Sequence, residues 1–289
     1  RIWRQDIFRA SDGINPVQMV QRYPHPIIRG FKAITPRRQA LTYLEKRIFC
    51  QNGARFIMTN SQLVKDQIRH HYGVSGDKIR VIYNSVDRKR YNISTKEQYQ
   101  KDVRNRYGIG EQDTLIFFAG NGFQLKGLPV LLEALAGLDN PRIRLIVAGG
   151  DPIAPYRRWT ERNGLGNTTI FIGYQKDLAP FYSAADLFIL PTQYDPFANV
   201  CLEAMACGTP VITTQMNGAS EIIKSGYDGY VLHSRNPQEL ASLILDFLDS
   251  PDKTAIENRV AEKAATFSMD AHMRQLIDLY KLVCEAKRK

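Results

Sequence analysis

From Thr114 onward the apolar positions fall into short β-branched and aromatic runs, each closed by a glycine- or proline-marked turn. These runs are Thr114–Gly120, Ile143–Gly150, Thr168–Gly173, Asp186–Thr192, Pro210–Thr214 and Gly229–Leu232. Between them, helical spacing predicts helices near Pro129–Leu138, Tyr156–Asn163, Leu178–Ala184 and Asn199–Cys207, and a helical turn at Ser220–Lys224. Strand and helix in alternation specify βαβ units and a mainly parallel sheet. Gly208 sits where a helix C-cap belongs, and Pro210 opens the next strand. Three helices are expected to close the chain, at Pro237–Ser250, Lys253–Thr266 and Ala271–Ala286. The last carries Met273, Leu276, Ile277, Tyr280 and Val283 at helical spacing.

The first part reads differently. Only Arg55–Thr59 and Lys78–Tyr83 have strand character, with helices at Gln39–Gln51 and Gln62–Tyr72, as in the tail of another α/β lobe. The polar stretch Ile93–Arg106 is the candidate linker or linking helix. The expected division is therefore 1–110 for a partial first lobe and linker, 111–268 for a complete second lobe, and 269–289 for a closing helix.

A chain of 289 residues suits two lobes, and 44% hydrophobic with 24% charged residues is ordinary globular composition. No uninterrupted run of about 18 apolar residues is available to span a bilayer. The sequence starts at Arg1 with neither an initiator Met nor a secretory layout, so it is expected to begin within a longer protein. The four cysteines have no metal or redox spacing, which suits a reducing cytoplasm. Charge is polarised: residues 1–110 hold 22 Lys+Arg against 8 Asp+Glu, and the remainder 17 against 21. Such a basic region attracts anions, whether a membrane surface, a phosphorylated acceptor or nucleic acid, although a merely solvated basic surface is the plainer reading.

Two segments carry chemistry. In the first, a buried strand ends in a loop holding Asp195-Pro196-Phe197, and a helix begins whose first free N–H groups are expected at Ala198, Asn199 and Val200. Such a helix start favours a phosphate, and strand C-termini are where open α/β sheets bind ligands. Asp195 precedes this helix and Glu203 lies within it. Taken alone, Asp195 reads equally as a helix-start residue offsetting the dipole, and Glu203 as a solvent-facing or salt-bridged helix residue. The second segment is Gly120-Asn121-Gly122-Phe123-Gln124-Leu125-Lys126-Gly127, a glycine-bearing turn that would set the Lys126 ammonium against a diphosphate.

Asp195 and Glu203 with seven residues between them, followed by Ala204-Met205-Ala206-Cys207-Gly208 and Pro210, resemble the E-x7-E signature of retaining GT-B glycosyltransferases, closest to family 4. The resemblance implies two Rossmann-like lobes, a nucleoside diphosphate sugar donor, with a UDP-sugar expected, and no cofactor or metal ion. It gives Asp195 the transferred sugar and Glu203 the nucleotide ribose hydroxyls. The first acid is Asp where Glu is usual, which leaves the donor sugar's identity open. The Gly120–Gly127 turn resembles the family's G-R-x-x-x-x-K-G loop, with Asn121 where Arg is common; Gly120, Asn121, Gly122 and Lys126 are the implied diphosphate side. Gly173 and Tyr174 fall where the family meets the nucleotide base, and Phe197 with Ala198–Val200 where it meets the phosphates. Asn217–Glu221 is similar to the donor-side glycine loop, and Asn84-Ser85-Val86-Asp87 to N-G-V-D at the end of the first lobe.

By the same alignment, roughly 80–100 residues of a first lobe are expected before Arg1. Asp12, in a strand-end loop before Gly13, stands where family members place a His or Asp near the acceptor and is the candidate to orient or deprotonate its hydroxyl, although an Asp-Gly turn explains it as well. The basic Arg29–Arg47 region resembles the first-lobe face of lipopolysaccharide-core glucosyltransferases that act at the inner face of the cytoplasmic membrane. The expected activity is retaining, metal-independent hexosyl transfer to a saccharide or lipid-linked acceptor in cell-envelope synthesis. A non-catalytic sugar-nucleotide-binding fragment is the alternative. A nucleic-acid partner is not expected, because neither an aromatic binding sheet nor zinc spacing accompanies the basic segment.

Overall fold

The computed structural model describes residues 5–288. In chain order the first lobe contains β1 (Gln5–Ala10), α1 (Asn15–Arg22), α2 (Pro26–Ala33), α3 (Pro36–Cys50), β2 (Ala54–Thr59), α4 (Gln62–Tyr72) and β3 (Ile79–Val81). Helix α5 (Lys96–Tyr107) leads into β4 (Thr114–Ala119), α6 (Phe123–Lys126), α7 (Leu128–Leu138), β5 (Ile143–Ala148), α8 (Ala154–Arg162), β6 (Thr169–Gly173) and α9 (Ala179–Ala184). Then come β7 (Leu187–Leu190), α10 (Asn199–Ala206), β8 (Val211–Thr214), β9 (Tyr230–Leu232), α11 (Pro237–Leu248), α12 (Lys253–Ala265) and α13 (Met269–Arg288).

The second lobe is built on a six-stranded parallel sheet in the order β6-β5-β4-β7-β8-β9. Strand order reverses between β4 and β7, which opens a crevice at their C-terminal ends. Leu115–Phe118 and Leu187–Leu190 are buried without alternation, as strands covered on both faces must be. The first lobe has a parallel sheet in the order β1-β2-β3, and its own core joins Phe8, Ile14, Phe49, Ile57, Val64 and Ile68.

Most expected elements form, and the differences have local causes. Helix α3 begins at Pro36 rather than Gln39, because Pro36 supplies the fixed φ of a first helical position. The third strand stops at Val81, since its partner β2 ends at Thr59. The expected turn at Ser220–Lys224 is a 3-10 turn at Gly218–Ile222, started by the Asn217 side chain accepting from the Ala219 N–H. The stretch read as a linker or linking helix folds as the helix α5, packs on α9, and places Val103 in the second lobe's core together with Val86, Tyr91 and Ile109.

Helix α13 returns to the first lobe. Leu279 is buried with Met58 and Ile82, and Leu276 packs beside them. Of the apolar residues assigned to this face, Met273, Ile277 and Tyr280 are instead exposed, and Leu279 is buried with Val283 beside the half-buried Leu276. Equal helical spacing on two sides made the faces indistinguishable in sequence. At the helix end Lys287 pairs with Asp6, and the His272 ring meets the Tyr83 carbonyl at 2.7 Å. Leu279→Ala should destabilise the protein by about 2–5 kcal/mol, whereas Ile277→Ser should stay within roughly 0.5 kcal/mol, as read from denaturation midpoints.

Candidate functional site

The turn after β4 is shaped by what anchors it. Phe123 is buried and meets Phe118 and Tyr156 edge-on. Gly127 adopts φ +87° against the Pro191 carbonyl, where a Cβ has no room. The short α6 between these anchors ends in Lys126. Asn121 accepts from the Gly150 N–H at 2.9 Å, and Asp151 accepts from the Gly122 N–H at 2.7 Å, so the turns after β4 and β5 hold each other.

Asp195 lies in the loop after β7. One carboxylate oxygen accepts from the Phe197 N–H at 3.1 Å, and the other forms an ion pair with the Lys126 ammonium. The two residues singled out in separate motifs are thus direct partners. The Asp195 backbone is pinned on both sides, donating to the Met216 carbonyl at 3.0 Å and accepting from the Gly218 N–H at 2.9 Å.

Behind it stands Asn217, fully buried. Its side-chain oxygen accepts from the N–H groups of Ala198 and Ala219 at 3.0 and 3.1 Å, while its amide nitrogen donates to Thr213 Oγ1 at 2.9 Å and to Cys201 Sγ at 3.4 Å. The free donors at the start of α10 are therefore those of Asn199 and Val200, which have no hydrogen-bond partner among the described residues. Ala198, expected among them, is already satisfied by Asn217. Burial pushes the Cys201 thiol up to about 12, with the Asp195 charge adding to the effect, so it serves as packing and not as a nucleophile.

These parts line a cavity of about 380 Å³ at the strand-order reversal. Gly120, Asn121 and Lys126 form one wall, Asp195 and Phe197–Val200 another, and Tyr174 the rim. Tyr174 is 71% exposed, a ring free to stack on a planar ligand. Gly173 stands just behind, accepting from the Gly149 N–H at 3.0 Å, and Gly122 caps α6 just outside the lining. Gln175 and Leu178 also line the cavity; no motif marked them, and only their place after β6 could have.

Glu203 sits one turn into α10 behind Val200 and is not part of that lining. It is half-buried and accepts from the Tyr182 hydroxyl at 3.1 Å. Burial raises its carboxyl above the usual range, opposed by the Tyr182 hydrogen bond and by Arg90.

A second cavity of about 230 Å³ opens between the lobes. Asp12, Gln18 and Arg22 of the first lobe face Lys126, Gln193 and Asp195 of the second across it. The Asp12 carbonyl accepts from the Gln18 side chain, which holds this loop to α1. Tyr194 joins the lobes here, packing on the first-lobe core and donating to Gln67 Oε1 at 2.8 Å. Lys126 and Asp195 line both cavities, and Asp12 reaches them only through the second.

Because the folded state holds the Glu203 proton more tightly than the unfolded chain, the contribution of this carboxyl to stability falls as pH rises from the ordinary Glu value of about 4.3 through its raised value. Glu203→Gln removes that dependence while keeping an acceptor for Tyr182. Its melting temperature relative to the unsubstituted protein should increase from pH 4 to pH 7, and a gap that did not widen would contradict the burial effect.

The family models match this architecture in two segments: Glycosyltransferase Family 4 over residues 22–90, and Glycosyl transferases group 1 over residues 100–266. An uncharacterized glycosyltransferase of Methanocaldococcus jannaschii is 26% identical over 252 residues, which is 85% of this chain and 63% of that relative's length. Among solved structures, Anabaena HepE in complex with UDP and glucose superposes with a TM-score of 0.78 at 23% identity, covering 95% of this chain and 71% of that one. WaaG, a glycosyltransferase involved in lipopolysaccharide biosynthesis, gives 0.78 at 23% identity, covering 92% and 72%. The fold is GT-B, with two Rossmann-like lobes. Since the second model alone spans more than half of the residues, the chain belongs to the group 1 glycosyl transferases.

Proposed function

We propose that the protein moves a hexosyl unit from a nucleoside diphosphate sugar, a UDP-sugar, to a hydroxyl of a saccharide or lipid-linked acceptor. The observation that carries this reading is the Lys126–Asp195 pair on the wall common to both cavities. A group bound there touches the donor side and the inter-lobe side at once. UDP in the HepE complex supports the choice of base, and the role of WaaG supports a product in the cell envelope.

In this reading Tyr174 and Gly173 meet the base, and Glu203 the ribose hydroxyls. The N–H groups of Asn199 and Val200 hold the diphosphate together with Lys126. As the bond between the sugar's anomeric carbon and the diphosphate oxygen breaks, its electron pair leaves on the diphosphate, where the Lys126 ammonium offsets the growing charge. Asp195, released from Lys126 by the incoming phosphate, contacts the sugar. Asp12 orients or deprotonates the acceptor hydroxyl. Retention of configuration and independence of metal are carried by the family resemblance, and the assignment as a nucleotide-sugar enzyme without a bound cofactor stands with them.

The first lobe supports peripheral attachment to an anionic surface on the cytoplasmic side of the membrane. Residues 13–44 contain no Asp or Glu, and α2 buries none of its residues. Ile27, Ile28 and Phe31 on α2, and Ile34 after it, are exposed beside Arg29 and Lys32. This is the composition of a helix that lies in a bilayer interface. No helix among the described residues is long and apolar enough to cross a membrane.

Calorimetric titration with UDP, GDP and ADP should give saturable binding of UDP, weakened about tenfold or more by Lys126→Ala and by Glu203→Ala. No binding of any nucleotide would overturn the donor reading. Vesicles containing anionic lipid should co-sediment the protein at low salt, neutral vesicles should not, and Phe31→Asp should reduce the bound fraction. A flat response to anionic lipid would remove the membrane from the proposal.

A further inference from the structure

The donor loop after β8 ends in a residue that leaves its own lobe. Glu221, at the close of the 3-10 turn begun by Asn217, extends its carboxylate to the start of α4 in the first lobe. One oxygen accepts from the Gln62 N–H at 2.7 Å and the other from the Leu63 N–H at 2.6 Å. The Tyr83 hydroxyl donates to the first of these oxygens at 2.9 Å, from the segment that crosses between lobes. Ser61, the residue before α4, already accepts from the Val64 N–H at 3.3 Å. The first turn of α4 is thus capped half by its own lobe and half by the other, and the positive end of its dipole faces the Glu221 charge.

Three further facts bear on what this contact does. Gly218 is wedged between the Pro196 carbonyl and the Ser61 side chain with no room for a Cβ, so the donor loop and the α4 cap touch directly. The backbone bonds between Asp195 and Met216 and Gly218, with the Asn217 amide, make Asp195, the start of α10 and the Glu221 turn one rigid piece. Glu221 itself is exposed at the edge of the cleft. Water can replace the α4 amides there at small cost, which suits a contact that forms and releases. A buried ion pair would instead hold the lobes permanently.

We propose that Glu221 is a positioning residue for the transfer reaction: a latch that clasps the start of α4 and couples occupancy of the donor cavity to the register between the lobe bearing Asp195 and the lobe bearing Asp12. A diphosphate at Asn199, Val200 and Lys126 rearranges the Lys126–Asp195 pair, and the rigid piece carries that change to Glu221. The coupling rests on the donor reading above; the contact does not.

Amide hydrogen exchange of the whole chain tests both, with UDP as the probe. In the unsubstituted protein UDP should slow exchange at Gln62 and Leu63, which lie outside the donor cavity. Glu221→Ala should speed exchange at these two amides about tenfold and abolish the UDP effect there, and by reciprocity it should weaken UDP binding by about the factor by which UDP slows exchange in the unsubstituted protein. Glu221→Gln, which keeps one acceptor oxygen, should free one of the two amides, and it carries the test if the alanine variant does not fold. Exchange at Gln62 and Leu63 unaltered by both substitutions would overturn the latch, as would a UDP effect that persists without the carboxylate. Failure of UDP to bind the unsubstituted chain would overturn the donor reading and the coupling together, a result distinguishable from loss of the latch alone.

Discussion

The site depends on one buried amide. Asn217 is fully buried, and a side-chain amide in such a place is destabilising unless each polar atom finds a partner. Its oxygen takes two backbone N–H groups and its nitrogen takes Thr213 and Cys201, which fixes the loop after β7, the start of α10 and the turn after β8 relative to the end of β8. Using up the Ala198 donor narrows the exposed positive end of α10 to Asn199 and Val200. The helix start is then aimed into the cavity by geometry set from below, from within a packed strand layer.

Electrostatics at the cavity wall are self-contained. Lys126 and Asp195 neutralise one another, so neither is left as an isolated, partly buried charge. In the proposed reading, a diphosphate competes with Asp195 for the ammonium. Glu203 behaves differently: Tyr182 and the burial around it keep that carboxyl anchored whatever occupies the cavity. One acid is held by an ion pair at the cavity wall and the other by a tyrosine hydroxyl behind it.

Much of this was legible in the sequence because it is local. The strand runs of the second lobe needed only periodicity, and the Gly120–Gly127 turn and the Asp195–Glu203 spacing each lie within one strand-to-helix unit. What could not be read depends on chain segments far apart. Asn217 acts on residues 16 and 19 positions away, Glu221 on residues 158 and 159 away, and α13 chose between two apolar stripes according to what Met58 and Ile82 offered. The polar stretch 93–106 read as a linker or linking helix, and its docking was not legible because α5 buries little beyond Lys96 and Val103. Its docking on α9 rests on so few apolar positions that composition does not register it.

Two of the departures from the family pattern share a physical reason. Asp195 replaces the usual Glu, and its short arm lets one oxygen turn back to the N–H two residues on, a geometry that a longer side chain does not favour, while the other oxygen still reaches Lys126. Asn121 replaces the common Arg and, in place of a cation at the cavity, supplies a carbonyl that ties Gly150 to the turn. Both substitutions exchange reach for local backbone anchorage. The cavity consequently meets an anion with one ammonium and two N–H groups, and its acid stands close to its own loop. A sugar in contact with Asp195 must approach the Pro196–Phe197 backbone more closely than one met by a Glu. In the proposed reading, the shape of that loop, more than the charge of the acid, sets which sugar fits.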